Sequence, residues 1–309
     1  MIQLDAVAYE DHRRDRLNAV QREFQSRLPQ ESMRRLGKLA GLIDKGGVVP
    51  FLGAGMSAAS GYPTWSGFLR GLARGWVDDS IVSERIDGGD LELLAEDIQN
   101  ARRAESFEET LEEFNLGYLP SEEIFLVCEM FGNAIVTSNF DPLIENASRQ
   151  LGVGPEVIEG CGNWSGWAAE GNSSNSQIIL KLHGHYKRPN HRVLLKEQYD
   201  EAYGDNGAVR RDLQDLHSSK CLLFLGCSLS SDRTMEVARQ VQASRKVGSS
   251  SRHYAFLAET DNWQEREIFL TDRGIFPIWY PNDDGAHSMI GLMLWWLKDA
   301  IASGNMVAH

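Results

Sequence analysis

Short apolar runs recur along the chain and alternate with stretches in which apolar residues follow a helical spacing. The runs have the length and composition of buried strands, and they cover residues 48–52, 134–137, 178–182, 222–225, 254–257 and 275–279. Helical spacing fills most of the intervals, notably residues 65–77, 142–151, 196–216 and 233–246. Buried strands that alternate with helices form parallel sheets covered on both faces. The pattern therefore predicts an α/β fold with a Rossmann-like, open and mostly parallel sheet.

The same pattern predicts helical additions around the sheet domain. Residues 1–46 carry two amphipathic stretches and are expected to form an N-terminal helical arm. The sheet domain is expected over residues 47–285, with a helical insertion at about 80–132, and residues 286–309 are expected to form a C-terminal helix. Residues 152–176 are rich in glycine, asparagine, serine and tryptophan, which predicts a long loop with room for a short hairpin.

Composition and charge narrow the class of protein. The chain has 309 residues, of which 42% are apolar and 24% charged, as in an ordinary soluble globular protein. Its net charge of -13 disfavours direct nucleic-acid binding. We find no secretory signal and no apolar run that could span a bilayer, and the early segment is heavily charged, so we expect a cytoplasmic protein without membrane contact. The four cysteines form no C-x-x-C pair, and we expect no metal.

A glycine-rich turn follows the first predicted strand. The strand ends in Gly53-Ala54-Gly55, and a helical pattern begins soon afterwards, as in the phosphate-binding corner of dinucleotide folds. Ala58 replaces the third glycine of G-x-G-x-x-G, and no Lys-Ser/Thr pair follows, so the turn is not a P-loop. Taken alone, the turn is as compatible with a ligand-free corner as with a nucleotide site.

Three later strands also end in polar or small residues. The segments that follow them are 137–141, 183–185 and 226–229. Asp141 alone would pass as a helix cap, and a lone histidine such as His183 is more often a structural hydrogen-bonding group. Ligands of open α/β sheets bind beyond the carboxyl ends of the strands, so the four segments together predict one site.

In this order, the motifs G-A-G-x-S, G-x-P-x-(aromatic), T-x-N-x-D, L-H-G and G-x-S-L resemble the sirtuin superfamily of NAD-consuming enzymes. The resemblance covers about residues 48–280 and implies that residues 47–285 form a sirtuin-like NAD-binding catalytic domain. More narrowly, the chain resembles the bacterial sirtuin-like NAD hydrolases of anti-phage defence systems, including the type encoded beside a HerA-like ATPase.

The resemblance implies a role for each matching residue. Asn139 would position water or substrate at the nicotinamide ribose, and His183 would act as the base on a ribose hydroxyl. Asp141 would contact the carboxamide, and Trp65 would cover the nicotinamide. His185 is a candidate for a supporting role, since in a continuing strand it would face the same side as His183.

The remaining residues implied by the resemblance bind the rest of the nucleotide. The glycine turn and the serine after it would hold the diphosphate and the adjoining ribose, the G-x-S motif would contact the adenosine half, and a glutamate after a later strand gives a looser match to a ribose-diol contact. These residues are Gly53, Ala54, Gly55, Ser57, Gly226, Ser228 and Glu259.

The chain also departs from the family pattern. It lacks the four-cysteine zinc module of the deacylases, Ser66 stands where an arginine is common, and Ser138 replaces the glutamine of T-Q-N. These departures disfavour a deacylase and favour water as the acceptor.

The sequence therefore predicts an NAD+ glycohydrolase that releases nicotinamide and ADP-ribose. Such an enzyme would drain cellular NAD, as in abortive infection, so we expect control by self-assembly into a homo-oligomer or by a separate partner such as a HerA-like ATPase. Two alternatives stay open at this point. One is a non-catalytic module that senses NAD or ADP-ribose; the other is a protein deacylase or ADP-ribosyltransferase.

Overall fold

The fold is built on a seven-stranded parallel sheet. The computed structural model describes residues 6–102, 111, 114, 117–160, 176–188, 192–230, 233–244, 252–283 and 285–304. The strands are β1 (Val48–Leu52), β2 (Ala134–Thr137), β3 (Gly154–Glu159), β4 (Ser176–Lys181), β5 (Cys221–Leu225), β6 (His253–Ala258) and β7 (Ile275–Tyr280). Every neighbouring pair is parallel, in the order β3-β4-β2-β1-β5-β6-β7. The predicted Rossmann-like α/β fold is confirmed.

Helices cover both faces of the sheet. One apolar core contains side chains from α1 (Ala6–Arg27), α2 (Gln30–Asp44), α4 (Trp65–Ala73), α5 (Asp79–Gly88), α6 (Leu91–Arg102), α7 (Glu122–Met130), α8 (Leu143–Gln150) and α13 (Met289–Ser303). The other contains side chains from α9 (Lys196–Tyr203), α10 (Ala208–Ser219), α11 (Arg233–Ser244) and α12 (Trp263–Thr271). The short α3 (Ala54–Ala58) follows β1 directly. The sheet is thus enclosed between two apolar layers, as its buried central strands require.

Strand β3 corrects the prediction of a loop from residue 152. Residues 154–159 form the edge strand and pair in parallel with β4, so they do not form a hairpin with it; residues 161–175 lie outside the described residues. The segment has little apolar character because most of its residues are partly or fully exposed at the sheet edge. An edge strand does not need the apolar run that identifies a buried one.

The helical stretch predicted over residues 196–216 is two helices. α9 ends at Tyr203 and α10 begins at Ala208, with the turn Gly204–Gly207 between them. A Cβ on Gly207 would lie 2.1 Å from the carbonyl oxygen of Ala202, so the turn requires glycine at this position. The break places α9 beside the carboxyl end of β4 and leaves α10 to cover β5.

Pro50 occupies the central strand, where its missing N–H is tolerated. The carbonyl of Gly47 and the N–H of Gly53 both form hydrogen bonds with β5 or its ends. In a parallel sheet, the backbone N–H and C=O groups of successive residues point alternately to the two neighbouring strands. The backbone of Pro50 therefore faces β2. The ladder between β1 and β2 begins one residue later, at Phe51 opposite Val136. The proline therefore removes no bond from the part of the ladder that leads into the turn after β1.

The order of the strands reverses at β1. The chain continues from β1 to β2 on one side and later returns to β5 on the other side. The carboxyl ends of β4, β2, β1 and β5 consequently lie next to each other. This reversal is the point at which open α/β sheets bind ligands.

Candidate active site

A cavity of about 650 Å³ opens where these four strands end. The volume suits a ligand of nucleotide size. Residues from the turns after β1, β2, β4 and β5 line it, and α4, α6 and α9 contribute to its walls. The lining includes Gly53, Ala54, Gly55, Ser57, Trp65, Asn139, Asp141, His183, Gly226 and Ser228. Asn139 and His183, which lie 44 positions apart along the chain, therefore line one cavity at the glycine turn.

The turns after β1 and β5 pack against each other through backbone atoms. The N–H of Gly53 donates to the carbonyl of Leu225, and the N–H of Gly55 to that of Gly226, both at 2.9 Å. A Cβ on Gly53 would lie 2.5 Å from the Gly226 oxygen, and one on Gly55 would lie 2.9 Å from the Gly226 Cα. The contact between the turns thus requires these glycines whether or not a diphosphate approaches them, and their contact with a diphosphate stays a prediction.

Asn139 has a fixed side-chain orientation. Its Nδ2 donates to the carbonyl of Gly53 and to the Oγ of Ser57, both at 2.9 Å. A carbonyl can only accept, so the nitrogen of the amide must face Gly53. The two amide hydrogens are used by these bonds, and the Oδ1 atom is left to accept a hydrogen bond from a ligand or water in the cavity.

Ser57 connects Asn139 to Asp141. The Ser57 hydroxyl donates to Oδ2 of Asp141 at 2.6 Å while it accepts from Asn139. Oδ1 of Asp141 accepts from the N–H of Leu143 at 3.0 Å, so the carboxyl also caps the start of α8. Burial raises the pKa of Asp141, and the positive charge of Lys181 opposes that rise. The hydroxyl predicted to hold the ribose and diphosphate is therefore engaged in positioning Asn139 and Asp141.

His183 packs edge-on against two tyrosines of α9 that stack on each other. Its Nε2 is 2.7 Å from the hydroxyl of Tyr203, and its ring contacts Tyr199 edge-on with centroids 5.3 Å apart. Withdrawal from water lowers the pKa of His183 to about 4. The ring is consequently neutral near pH 7 and can accept a proton. Tyr203 gave no motif in the sequence, since the break between α9 and α10 that places it here was not predicted.

Three aromatic rings form a wall of the cavity. Trp65 begins α4 directly after Thr64, whose hydroxyl accepts from the N–H of Gly67 at 3.2 Å. The Trp65 ring stacks on Phe68 with centroids 5.5 Å apart and lies tilted against Phe140 at 6.3 Å. All three rings line the cavity. A flat apolar group such as nicotinamide fits such a surface, as the role implied for Trp65 requires.

Arg233 joins three helices beside the cavity and was not predicted as a site residue. Its guanidinium donates to Glu92 of α6 at 2.6 Å and to Asp200 of α9 at 2.7 Å, and it lies over the ring of Tyr199 at 5.5 Å. The signal available in the sequence was its position at the start of α11, just after the G-x-S-L motif. Arg233 connects the helix that begins with Leu91 to the wall that holds His183.

Two other candidates lie elsewhere. Among the described residues, the cavity lining includes neither Glu259 nor His185. Glu259 is exposed after β6, and its predicted ribose contact stays a prediction. The expectation that His185 faces the same side as His183 is wrong, because β4 ends at Lys181 and Gly184 turns the chain at φ +85. The His185 ring lies 3.5 Å from the carboxylate of Glu145 instead.

Ser228 lies at the exposed rim of the cavity. Its Oγ is 3.4 Å from the Oγ of Ser230, and its carbonyl accepts from Arg266 at 2.7 Å.

Within the part of the chain that the structure describes, no group of three His, Cys, Asp or Glu residues could hold a metal ion. No helix in the same part is long and apolar enough to cross a bilayer.

Part of the chain matches a known domain family. Residues 133–278 match the model of the SIR2-like domain family, a span that is just under half of the chain and runs from the residue before β2 into β7. It includes Asn139, His183 and Ser228. The resemblance to sirtuins is confirmed for this part of the chain.

Curated relatives have modest identity to the chain. NAD(+) hydrolase ThsA of Cytobacillus dafuensis is 25% identical over 220 residues, which cover 71% of this chain and 42% of the relative. NAD(+) hydrolase ThsA of Enterococcus faecium is 26% identical over 192 residues, which cover 61% of this chain and 38% of the relative. The chain thus spans about two fifths of the length of the curated relatives it matches.

Proposed function

We propose that the protein is a cytoplasmic NAD+ glycohydrolase that cleaves the bond between nicotinamide and ribose. The observation that carries the proposal is the meeting of Asn139 and His183 in one cavity at the glycine turn. The names of the relatives, which are NAD(+) hydrolases, support the same chemistry. The charged segment from Ala6 to Arg35 supports the cytoplasmic location.

The reaction needs little acid catalysis. The pair of electrons in the bond from ribose C1′ to the pyridinium nitrogen leaves with nicotinamide, which departs as a neutral molecule. The positive charge passes to the ribose, and the site must stabilise this oxocarbenium-like centre and place water beside it. Water then adds to C1′ and loses a proton, so that NAD+ and water yield nicotinamide, ADP-ribose and one proton.

The described residues suit these steps. Oδ1 of Asn139 can accept a hydrogen bond from the attacking water or a ribose hydroxyl without adding a full charge beside the substrate. His183 is neutral near pH 7 and can take the proton, with Tyr203 as its hydrogen-bond partner. The aromatic rings of Trp65, Phe68 and Phe140 would hold the nicotinamide in an apolar wall before it leaves.

The test measures free nicotinamide and ADP-ribose after incubation with NAD+. We expect Asn139→Ala and His183→Ala to lower turnover, the latter by about 10²–10⁴-fold, the usual contribution of a general base. Asn262→Ala is the matched control, since Asn262 is exposed at the start of α12 and outside the cavity. Tight NAD+ binding without turnover under every condition would instead indicate a sensing module. Nicotinamide release that requires an acylated peptide would indicate a deacylase.

We further propose that the activity serves anti-phage defence and is held off until a trigger arrives. The support is the resemblance to defence-system hydrolases and the cost to a cell of unregulated NAD+ loss. A homo-oligomer or a HerA-like ATPase partner would supply the control. The test compares NAD+ turnover by the chain alone and with the product of the neighbouring gene, alongside the mass of the assembly in solution. Equal turnover in both preparations, together with a monomeric mass, would contradict the proposal that self-assembly or a partner regulates the activity.

A further inference from the structure

Lys181 is a completely buried lysine at the end of β4. Its side chain has no exposed surface, and its Nζ lies 3.2 Å from Oε1 of Glu145, which is itself 2% exposed. Removing both charges from water costs about as much as their attraction returns, so a buried pair is weak evidence of a gain in stability. A role other than stabilising the fold is therefore worth seeking for this lysine.

The ammonium of Lys181 also bonds to the segment that carries Asn139. It donates to the backbone carbonyl of Asp141 at 2.6 Å and to that of Asn139 at 3.2 Å. Glu145 is the third neighbour of the ammonium, as an ion-pair partner rather than as a hydrogen-bond acceptor. Lys181 is not among the residues that line the cavity, so it reaches the segment from behind.

The backbone of Asn139 is consequently held on both sides of its Cα. Its N–H donates to the hydroxyl of Thr137 at 3.0 Å, and its carbonyl accepts from Lys181. The side chain then meets Gly53 and Ser57 with little freedom left. A displacement of this backbone by 1 Å would carry the amide oxygen away from a ligand in the cavity.

We propose that Lys181 is the positioning residue for Asn139 and that Glu145 is its counterion in the interior. This inference rests on the proposed NAD+ hydrolysis for its kinetic consequence, but the fixed backbone can be tested without turnover. Burial would raise the pKa of Glu145, yet Lys181 and His185 lower it overall, in agreement with a charged pair.

Three variants separate positioning from the pairing of charges. Lys181→Met keeps most of the length of the side chain but removes every donor, and it leaves Glu145 without its ammonium partner while His185 stays 3.5 Å away. Glu145→Gln removes the ion pair and leaves an amine that still has hydrogens for both carbonyls. Lys181→Met/Glu145→Gln removes both charges together. Each is compared with the wild type by thermal unfolding, by nicotinamide release against NAD+ concentration, and by hydrogen exchange of residues 138–141.

We expect Lys181→Met to lower the unfolding temperature, and the double variant to recover most of that loss. In both variants, kcat should fall by about 10²-fold, as for other small misplacements of a catalytic group, with KM nearly unchanged because the glycine turn is untouched. Glu145→Gln should retain most of the turnover. Hydrogen exchange of residues 138–141 should be faster in both variants that carry Met at 181 and near wild type in Glu145→Gln.

Recovery of both stability and turnover in the double variant would overturn the proposal, since Lys181 would then serve only as a counterion. If the wild type is active and Lys181→Met has the same turnover, the positioning role is also refuted, while the proposed NAD+ hydrolysis is not. If the wild type releases no nicotinamide under any condition, including in the presence of the product of the neighbouring gene, the proposed function fails, and hydrogen exchange alone decides: unchanged exchange of residues 138–141 in the double variant refutes the positioning role.

Discussion

Gly226 combines a left-handed backbone with a contact that leaves no room for a side chain. Its φ is +64, and a Cβ there would lie 2.4 Å from the backbone nitrogen of Met56. We expect Gly226→Ala to lower the free energy of unfolding by about 2–4 kcal/mol, because strain and steric overlap with backbone add to each other. Urea unfolding measures the loss, and NAD+ binding should weaken with it because the turn after β1 must move.

Gly152 provides the matched control for this substitution. Its φ is +78, but a Cβ there would meet nothing within 4 Å. Gly152→Ala should therefore lower the free energy of unfolding by about 1 kcal/mol, which is the cost of the left-handed backbone alone. Equal losses for the two variants would show that crowding between the turns contributes nothing.

The proposed role of His183 as the base predicts how NAD+ turnover depends on pH. Its pKa is lowered to about 4 by burial, from an ordinary 6.5. The ring is neutral and able to accept a proton above the lowered pKa and is protonated below it, so kcat/KM for NAD+ should stay level from about pH 8 to about pH 5 and fall as the pH approaches 4.

Circular dichroism at each pH provides the control that the fold persists through the acid range. A midpoint near 6.5 would show that the ring is well hydrated in the active enzyme and that its burial does not set the profile. Stability should follow the same sign: a histidine with a lowered pKa in the folded state contributes fully above about pH 6.5 and progressively less as the pH falls toward 4.

At the scale of elements, Arg233 is the connection between α6, α9 and α11. We expect Arg233→Met to lower the free energy of unfolding by about 1 kcal/mol, since the ion pairs are partly exposed and screened. Its larger effect should be local. Hydrogen exchange over α6 should become faster, because the helix loses the bond from Glu92 to the opposite wall of the cavity.

Arg239 lies on the same helix and serves as the control. It is exposed and pairs only one turn away with Glu236. Arg239→Met should leave the exchange of α6 unchanged. If α6 exchanges equally slowly in both variants, the helix is held by its apolar contacts and the Arg233 bridge has no structural effect.

The sequence predicted the elements whose burial is uniform. Leu222 to Leu225 are enclosed on both faces, and a run of four apolar residues identifies such a strand. β3 was not predicted because most of its residues are partly or fully exposed at the sheet edge. The break between α9 and α10 escaped because the apolar spacing continues on both sides of Gly204–Gly207, while only the contact with Ala202 reveals why the helix must stop.

At the scale of the whole molecule, Arg35 fixes the helix α2 to the far edge of the sheet. Its guanidinium donates to the carbonyl of Pro277 and to Glu267, both at 2.6 Å, and Glu267 also accepts from the indole N–H of Trp279 at 2.7 Å. We expect Arg35→Ala to lower the free energy of unfolding by about 2–3 kcal/mol, because it leaves a partly buried carboxylate without its cation. Thermal or urea unfolding measures the change.

The neighbouring Arg34 gives the control. It bonds to Glu31 within the same helix and is otherwise exposed. Arg34→Ala should leave the stability nearly unchanged. Similar behaviour of the two variants would mean that α2 is held to β7 by apolar contacts alone.

The residues of the candidate site that directly follow strands could be predicted from the sequence. Gly53, Asn139, His183 and Gly226 follow four strands, and a parallel sheet brings the ends of such strands to one edge whatever their separation in sequence. The residues that hold these site residues in position could not be predicted in this way. Tyr203 comes from a helix, and Lys181 is the last residue of a strand that was recognised by its apolar run. The register of β4 and the break after α9 decide their contacts, and neither is visible as a motif.

The backbone contact between the turns after β1 and β5 has a consequence for protein engineering. A side chain cannot be introduced at Gly53, Gly55 or Gly226 unless the opposite turn moves, because each turn occupies the space that a Cβ on the other would need. A change of ligand preference must therefore start from the replaceable side chains of the walls, such as Trp65 and Arg233, while both turns are kept as a matched pair.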